Sequence, residues 1–157
     1  METIAIFVDV QNIYYTTRQS FRRQFNYRAF WQRATANRKV IAALAYAIDK
    51  GDSKQQGFQS TLKNIGFDIK LKPYIQRSDG SAKGDWDVGI TLDMLDYAAQ
   101  ADVIILLSGD GDFDLLLNKV RSHYAAATEV YGVLALTAPS LINAADRFIA
   151  IDDSLLL

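Results

Sequence analysis

Asp102-Val103-Ile104-Ile105-Leu106-Leu107-Ser108-Gly109-Asp110 is the stretch on which the reading of this chain turns. From Val103 to Leu107 every residue is apolar, and no polar residue alternates with them. A strand of that kind is buried on both faces, which is the condition of a central strand in a parallel sheet covered by helices. The run then stops abruptly at Ser-Gly-Asp, a turn carrying a carboxylate.

Working outward, Val- and Ile-rich runs bounded by turn residues predict further strands at Thr3–Val8, Lys39–Ala47, Asp68–Tyr74, Thr128–Val133 and Phe148–Ile151. Helical patterns lie between them at Gln11–Gln24, Tyr27–Thr35, Ser53–Asn64, Asp87–Ala99, Phe113–Tyr124 and Pro139–Ala145, with Gly66 as a favoured stop after the third. Strands alternating with helices make an α/β fold of three layers, α/β/α, around a mostly parallel sheet with right-handed crossovers. Neither a repeat nor a Pro/Gly-rich linker interrupts the 157 residues, so a single domain over 1–157 is expected.

In such sheets a ligand sits beyond the carboxyl ends of the strands, where the strand order reverses. In a 3-2-1-4-5 order the first and fourth strands are neighbours at that point. Asp9 follows the first of them, and Ser108-Gly109-Asp110 follows the fourth. Two distant pieces of sequence thus deliver aspartates to one crevice.

Composition sharpens the point. Between Asp85 and Asp114 there are eight aspartates and no basic residue, and glutamate occurs only at Glu2 and Glu129. Acids that merely solubilised helix faces would favour glutamate, the better helix former. With no cysteine, thiolate zinc sites and a cysteine nucleophile are excluded. Carboxylates brought within ~4 Å repel by about 4 kcal/mol per pair at an effective dielectric near 20, so several in one crevice call for a cation or for protonation. Oxygen-only donors favour Mg²⁺ or Mn²⁺. Asp9, Asp87 and Asp110 are the candidate ligands. For Asp9 and Asp110 taken singly, capping of the following helix is the alternative, but Ser108–Asp114 presents three aspartates rather than one. Asp93 lies about 120° around the helix axis from Asp87 and is a weaker candidate, and Asp114 could equally be a solvated helical residue. An EF-hand loop is excluded, because Leu115 and Arg121 stand where glycine and glutamate would be required.

The motifs Phe7-Val8-Asp9-Val10-Gln11-Asn12, Lys83-Gly84-Asp85-Trp86-Asp87-Val88, Ser108-Gly109-Asp110-Gly111-Asp112-Phe113 and Ala145-Asp146-Arg147-Phe148-Ile149 resemble, in this order, the NYN branch of the PIN-like nuclease superfamily, to which LabA-like bacterial proteins belong. The resemblance implies a PIN-like (Rossmannoid) fold and a metal-dependent nuclease, usually acting on RNA and leaving a 5′-phosphate. By motif position it implies Asp9, Asp87 and Asp110 as metal ligands or their supports. Asn12 and Ser108 would orient metal, water or phosphate, Asp112 would complete the acidic patch, and Lys83 would touch the substrate phosphate. Asp114 departs from the pattern, since many relatives are apolar there. Because the family includes members without demonstrated activity, an RNA-binding or protein-interaction module is the alternative function.

An acidic crevice repels a polyanion unless cations offset it. Arg18, Arg22, Arg23, Arg28, Arg33, Arg38 and Lys39 form a run without an acid, interleaved with Phe21, Phe25, Tyr27, Phe30 and Trp31. Arginine on phosphates with aromatics under bases suits single-stranded RNA, so Arg18, Arg22 and Arg23 are expected to bind substrate; the competing reading makes the aromatics core. The polar loop Gln76–Lys83 is a second candidate contact. A haloacid-dehalogenase-like phosphatase would need an acid where Gln11 stands, and the sole histidine, His123, has no partner for serine-type catalysis. Met1-Glu2-Thr3 lacks the basic start of a signal peptide and no apolar run is long enough to span a bilayer, which predicts a cytoplasmic protein without a membrane partner.

Overall fold

The computed structural model describes residues 1–73, 75–76, 82–83 and 85–157, and of these the side chains at 73, 75, 76, 82 and 83 fall outside the description. Loop residues 77–81, singled out above as a second RNA contact, and Gly84 also lie outside it, as does the Lys83 side chain.

The strands are β1 (Glu2–Asp9), β2 (Arg38–Asp49), β3 (Asp68–Pro73), β4 (Ile75–Gln76), β5 (Ala82–Lys83), β6 (Val103–Leu107), β7 (Ala127–Gly132) and β8 (Arg147–Ala150). The helices are α1 (Val10–Phe21), α2 (Tyr27–Thr35), α3 (Ser53–Ile65), α4 (Asp87–Ala98), α5 (Asp114–His123) and α6 (Pro139–Ala144). Six strands form one sheet in the order β3-β2-β1-β6-β7-β8, with every pairing parallel. This is the predicted order with the last strand added. The antiparallel ribbon β4–β5 stands apart and was not expected from the sequence.

Side-chain alternation along the central strands divides the interior into two cores. Ile4, Ile6 and Val8 of β1, with Val103, Ile105 and Leu107 of β6, face α1, α2 and α3 through Ile13, Phe30, Ala34 and Leu62. Ala5 and Phe7, with Ile104 and Leu106, face α4, α5 and α6 through Ile90, Met94, Leu117, Val120 and Leu141. Each central strand therefore buries both of its faces, and this is why β6 reads as an unbroken apolar run.

Helix ends follow local chemistry. The side chain of Asn26 caps α2 by accepting from the Ala29 amide, and that of Asp52 caps α3 by accepting from Gln55. Gly66, at φ 139°, closes α3, and a Cβ there would sit 2.7 Å from the Trp31 ring. No helix among the described residues is long and apolar enough to cross a membrane.

Two expectations fail here. Phe25, Tyr27 and Phe30 are not free to stack on bases, because they are core residues, 8% exposed or less. Nor is the basic run without counter-acids in space. Arg38 meets Glu129 at 2.7 Å and Glu2 at 2.8 Å, and Arg23 meets Asp153 at 2.8 Å. Arg23 also donates to the Leu157 carbonyl, which helps pin the C-terminal segment beside Phe25.

The Arg38 guanidinium that holds Glu129 also donates to the Ala34 carbonyl in the last turn of α2, and Glu129 is only 7% exposed. Removing one partner strands the other charge, whereas removing both does not. We expect Arg38→Met to lower stability by about 3 kcal/mol in denaturant unfolding, and Arg38→Met/Glu129→Met to recover most of that loss.

Candidate metal centre

Parallel pairing sets Val8 of β1 opposite Leu107 of β6. The next residues along, Asp9 and Ser108, therefore leave the sheet side by side at its carboxyl edge. The Ser108 hydroxyl donates to Asp9 Oδ2 at 3.1 Å and accepts the Asp110 amide at 3.2 Å. Ser108 is fully buried, and its hydroxyl ties the Asp9 carboxylate to the backbone of the turn that carries Asp110. Asn12, in the first turn of α1, accepts the Gly109 amide on its Oδ1 at 2.9 Å and so locks the helix start to the β6 turn.

Capping and clustering coexist. Asp9 Oδ1 accepts the Asn12 amide at 3.4 Å, capping α1. Asp110 Oδ1 accepts the Asp112 amide at 2.9 Å, capping the single 3₁₀ turn Gly111–Phe113 that precedes α5. One oxygen per carboxylate satisfies an amide, while the group as a whole still faces the crevice. Asp87, the first residue of α4, arrives from the other side, and oxygens of Asp9, Asp87 and Asp110 all lie within 4.8 Å of one another. Among the described residues none of these three joins an ion pair.

Two further features hold the crevice in shape. Trp86 precedes α4, donates its indole N–H to the Ala47 carbonyl at 2.9 Å and packs on Tyr46, with Lys72 Nζ 4.4 Å from its ring centre. This anchors the start of α4, and Asp87 with it, to the end of β2. A Cβ on Gly109 would lie 2.9 Å from the Leu136 carbonyl, and one on Gly111 would lie 2.8 Å from Ala138 Cβ. These glycines allow the acidic turn to pack against the segment after β7. Sequence reasoning missed Trp86, whose only signal was a large apolar ring set between two aspartates.

The other predicted residues fall outside the cluster. Asp93 accepts from Tyr46 Oη at 2.7 Å and pairs with Lys70 at 2.6 Å. Asp112 is exposed and contributes its amide to Asp110. Asp114 is half-buried at the start of α5. Arg18 and Arg22 are exposed on α1 and at its end. His123 ends α5, with its Nδ1 2.7 Å from the Ser122 hydroxyl.

Crowding has an electrostatic consequence. Burial, opposed by the Asn12 amide and the Ser108 hydroxyl, pushes the Asp9 carboxyl up to about 6, with the charges of Asp110 and Asp85 adding to the rise. Burial and a hydrogen bond shared with Asp110 push Asp87 up to about 7. The donor set therefore suits a hard divalent cation, which would replace the missing positive charge.

Both carboxyls bind protons more tightly folded than unfolded, so between about pH 4 and pH 7 the folded state holds more protons. Without divalent metal, stability should fall as pH rises through that window. Allowing for solvent screening, the loss should be of order 1 kcal/mol. Asp87→Asn should flatten the trend in thermal melts in EDTA, and millimolar Mn²⁺ at pH 7 should raise the wild-type melting temperature far more than that of Asp87→Asn.

Comparison with known proteins agrees with the architecture. A family model of the NYN domain matches residues 3–152. Low amplitude and bright protein LabA from Synechococcus elongatus is 30% identical over 164 residues, spanning 96% of this chain and 84% of LabA. The crystal structure of a protein of unknown function from Vibrio parahaemolyticus aligns with TM-score 0.95 at 54% identity, covering 99% of this chain and 96% of that one. The parallel sheet flanked by helices is consistent with the PIN-like fold. With its acidic triad at the carboxyl edge of that sheet and the family match running from Thr3 to Asp152, the chain belongs to the NYN domain family, within the PIN-like nuclease superfamily.

Proposed function

We propose that the protein is a metal-dependent ribonuclease that hydrolyses RNA phosphodiester bonds, using Mg²⁺ or Mn²⁺ held by Asp9, Asp87 and Asp110. The observation that carries this reading is the convergence of these three carboxylates within 4.8 Å, with no cation partner among the described residues. Mutual repulsion and burial disfavour the arrangement, and a divalent ion is the simplest agent that reverses the sign.

When bound, such an ion would offset the phosphate charge and help water to attack phosphorus. The chain's own contribution is positioning. Ser108 fixes Asp9 and Asp110 relative to each other, Asn12 fixes α1 to the β6 turn, and Trp86 fixes the start of α4. Rigid support of this kind keeps the reacting groups in register without reorganisation during the reaction. Asp112, exposed beside Asp110, extends the negative field at the rim, and Lys83 is assigned to the substrate phosphate. Arg18 and Arg22 are assigned to the RNA backbone beyond the crevice. Arg23 is withdrawn from that role because Asp153 and the Leu157 carbonyl occupy its guanidinium.

Purified protein incubated with single-stranded RNA should cleave it in the presence of Mn²⁺ or Mg²⁺ and not in EDTA. Asp9→Asn and Asp110→Asn should each reduce the rate by roughly a hundredfold or more, beyond the 10–100-fold typical of losing a supporting partner. Both variants should retain wild-type circular dichroism. Wild-type rates in both variants, from preparations free of other nucleases, would refute the assignment.

A further inference from the structure

The outer face of α1 carries a feature that the acidic crevice does not account for. Tyr14 and Tyr15 are 45% and 51% exposed, whereas Phe25, Tyr27 and Phe30 further along are buried. They are not loose. Their rings meet edge to face with centres 5.3 Å apart, and Arg18 donates to Tyr14 Oη at 2.8 Å with its guanidinium 5.9 Å from that ring centre. Helical spacing puts Tyr15, Arg18, Gln19 and Arg22 on one stripe, opposite the buried residues Val10, Ile13 and Thr17. Tyr15, Arg18, Gln19 and Arg22 line one surface depression, and a second, lined in part by Tyr14, shares Arg18 and Arg22 with the first. Among the described residues, no acid lies within ion-pair distance of Arg18 or Arg22.

The stripe is also rigidly tied to the crevice. Asp9 caps α1, and Asn12 binds the Gly109 amide. Tyr15 lies six residues beyond Asp9, about 9 Å along the axis, and Arg22 about 20 Å along it. Exposed aromatic rings alternating with guanidinium groups that meet no acid among the described residues are the chemistry that receives a single nucleic-acid strand, which offers bases to stack and phosphates to pair. A polyanion reaching the acidic crevice needs such a cationic approach. A protein partner would need an acidic surface to meet these arginines, and nothing along α1 selects one.

We propose that the outer face of α1 is the track for the single-stranded RNA flanking the bond to be cut, with Tyr15 as the base-stacking platform, Tyr14 as its buttress, and Arg18 and Arg22 holding phosphates. This rests on the ribonuclease reading for the direction of the strand but makes its own claim about binding. Fluorescence anisotropy with a labelled single-stranded oligouridylate of about a dozen nucleotides, in EDTA at low salt, measures it. The whole chain carrying Asp110→Asn serves as host, to silence cleavage.

In that host, Tyr15→Ala should weaken binding about five- to a hundredfold, the range that loss of one base–aromatic stack carries. Tyr15→Phe should bind the oligouridylate as the host does, and so should Leu115→Ala, a control on the exposed start of α5. Unchanged binding in Tyr15→Ala, an equal loss in Tyr15→Phe, or no binding by the host would overturn the track. Cleavage of RNA by a wild-type chain whose Tyr15→Ala variant keeps its KM would overturn the track and leave the nuclease standing. Tyr15-dependent binding without any cleavage would do the reverse.

Discussion

The Ser108 hydroxyl, donating to Asp9 and accepting from the Asp110 amide, is the contact on which the rest of the site depends. It joins the carboxyl ends of two strands that meet only because β1 and β6 pair in parallel at the centre of the sheet. That pairing is in turn stabilised by two apolar cores, one on each face, so neither strand can slip by a residue without turning its buried side chains to the wrong layer. Sheet register thus fixes carboxylate geometry. A fully buried hydroxyl with both its donor and acceptor roles filled has little freedom to relax, and it transmits the register to the acids.

The same arrangement concentrates negative charge where burial makes it costly. Asp9 and Asp87 respond by holding protons well above the ordinary carboxylate range. The fold tolerates this because two of the three acids are also used structurally and the third is held by its neighbour. Asp9 caps α1, Asp110 caps the turn before α5, and Trp86 clamps the approach to Asp87 by a hydrogen bond to the end of β2. Charge repulsion at the site is offset by caps and anchors whose partners lie in the most rigid part of the protein. A divalent cation would convert the remaining strain into binding.

Much of this was legible in the residues. The unbroken run Val103–Leu107 announced a doubly buried strand, and the alternation of strands and helices gave the sheet order that brings Asp9 beside Asp110. What local reading could not see was pairing between residues distant in sequence. Arg38 and Glu129 are 91 positions apart, and Arg23 and Asp153 are 130 apart, so a run that looked free of counter-acids was partly neutralised. Phe25, Tyr27 and Phe30 looked like stacking partners because they alternate with arginines, yet the packing of α2 against β7 and the C-terminal segment buries them. Capping and metal binding stand as alternatives only for a single oxygen, and a carboxylate with two oxygens that caps a helix leaves the other free for a second partner. Tyr14 and Tyr15 carried no motif, and only their exposure on a helix tied to the crevice brings them forward.

The central claim is that Asp9, Asp87 and Asp110 form one divalent-metal site. Its most direct measurement is an anomalous difference map from a crystal soaked in Mn²⁺ at neutral pH. The account predicts a peak bounded by oxygens of all three aspartates at about 2.1 Å, the distance hard octahedral cations demand. A fully exchanged crystal with ordered aspartates and no anomalous peak among them would contradict it.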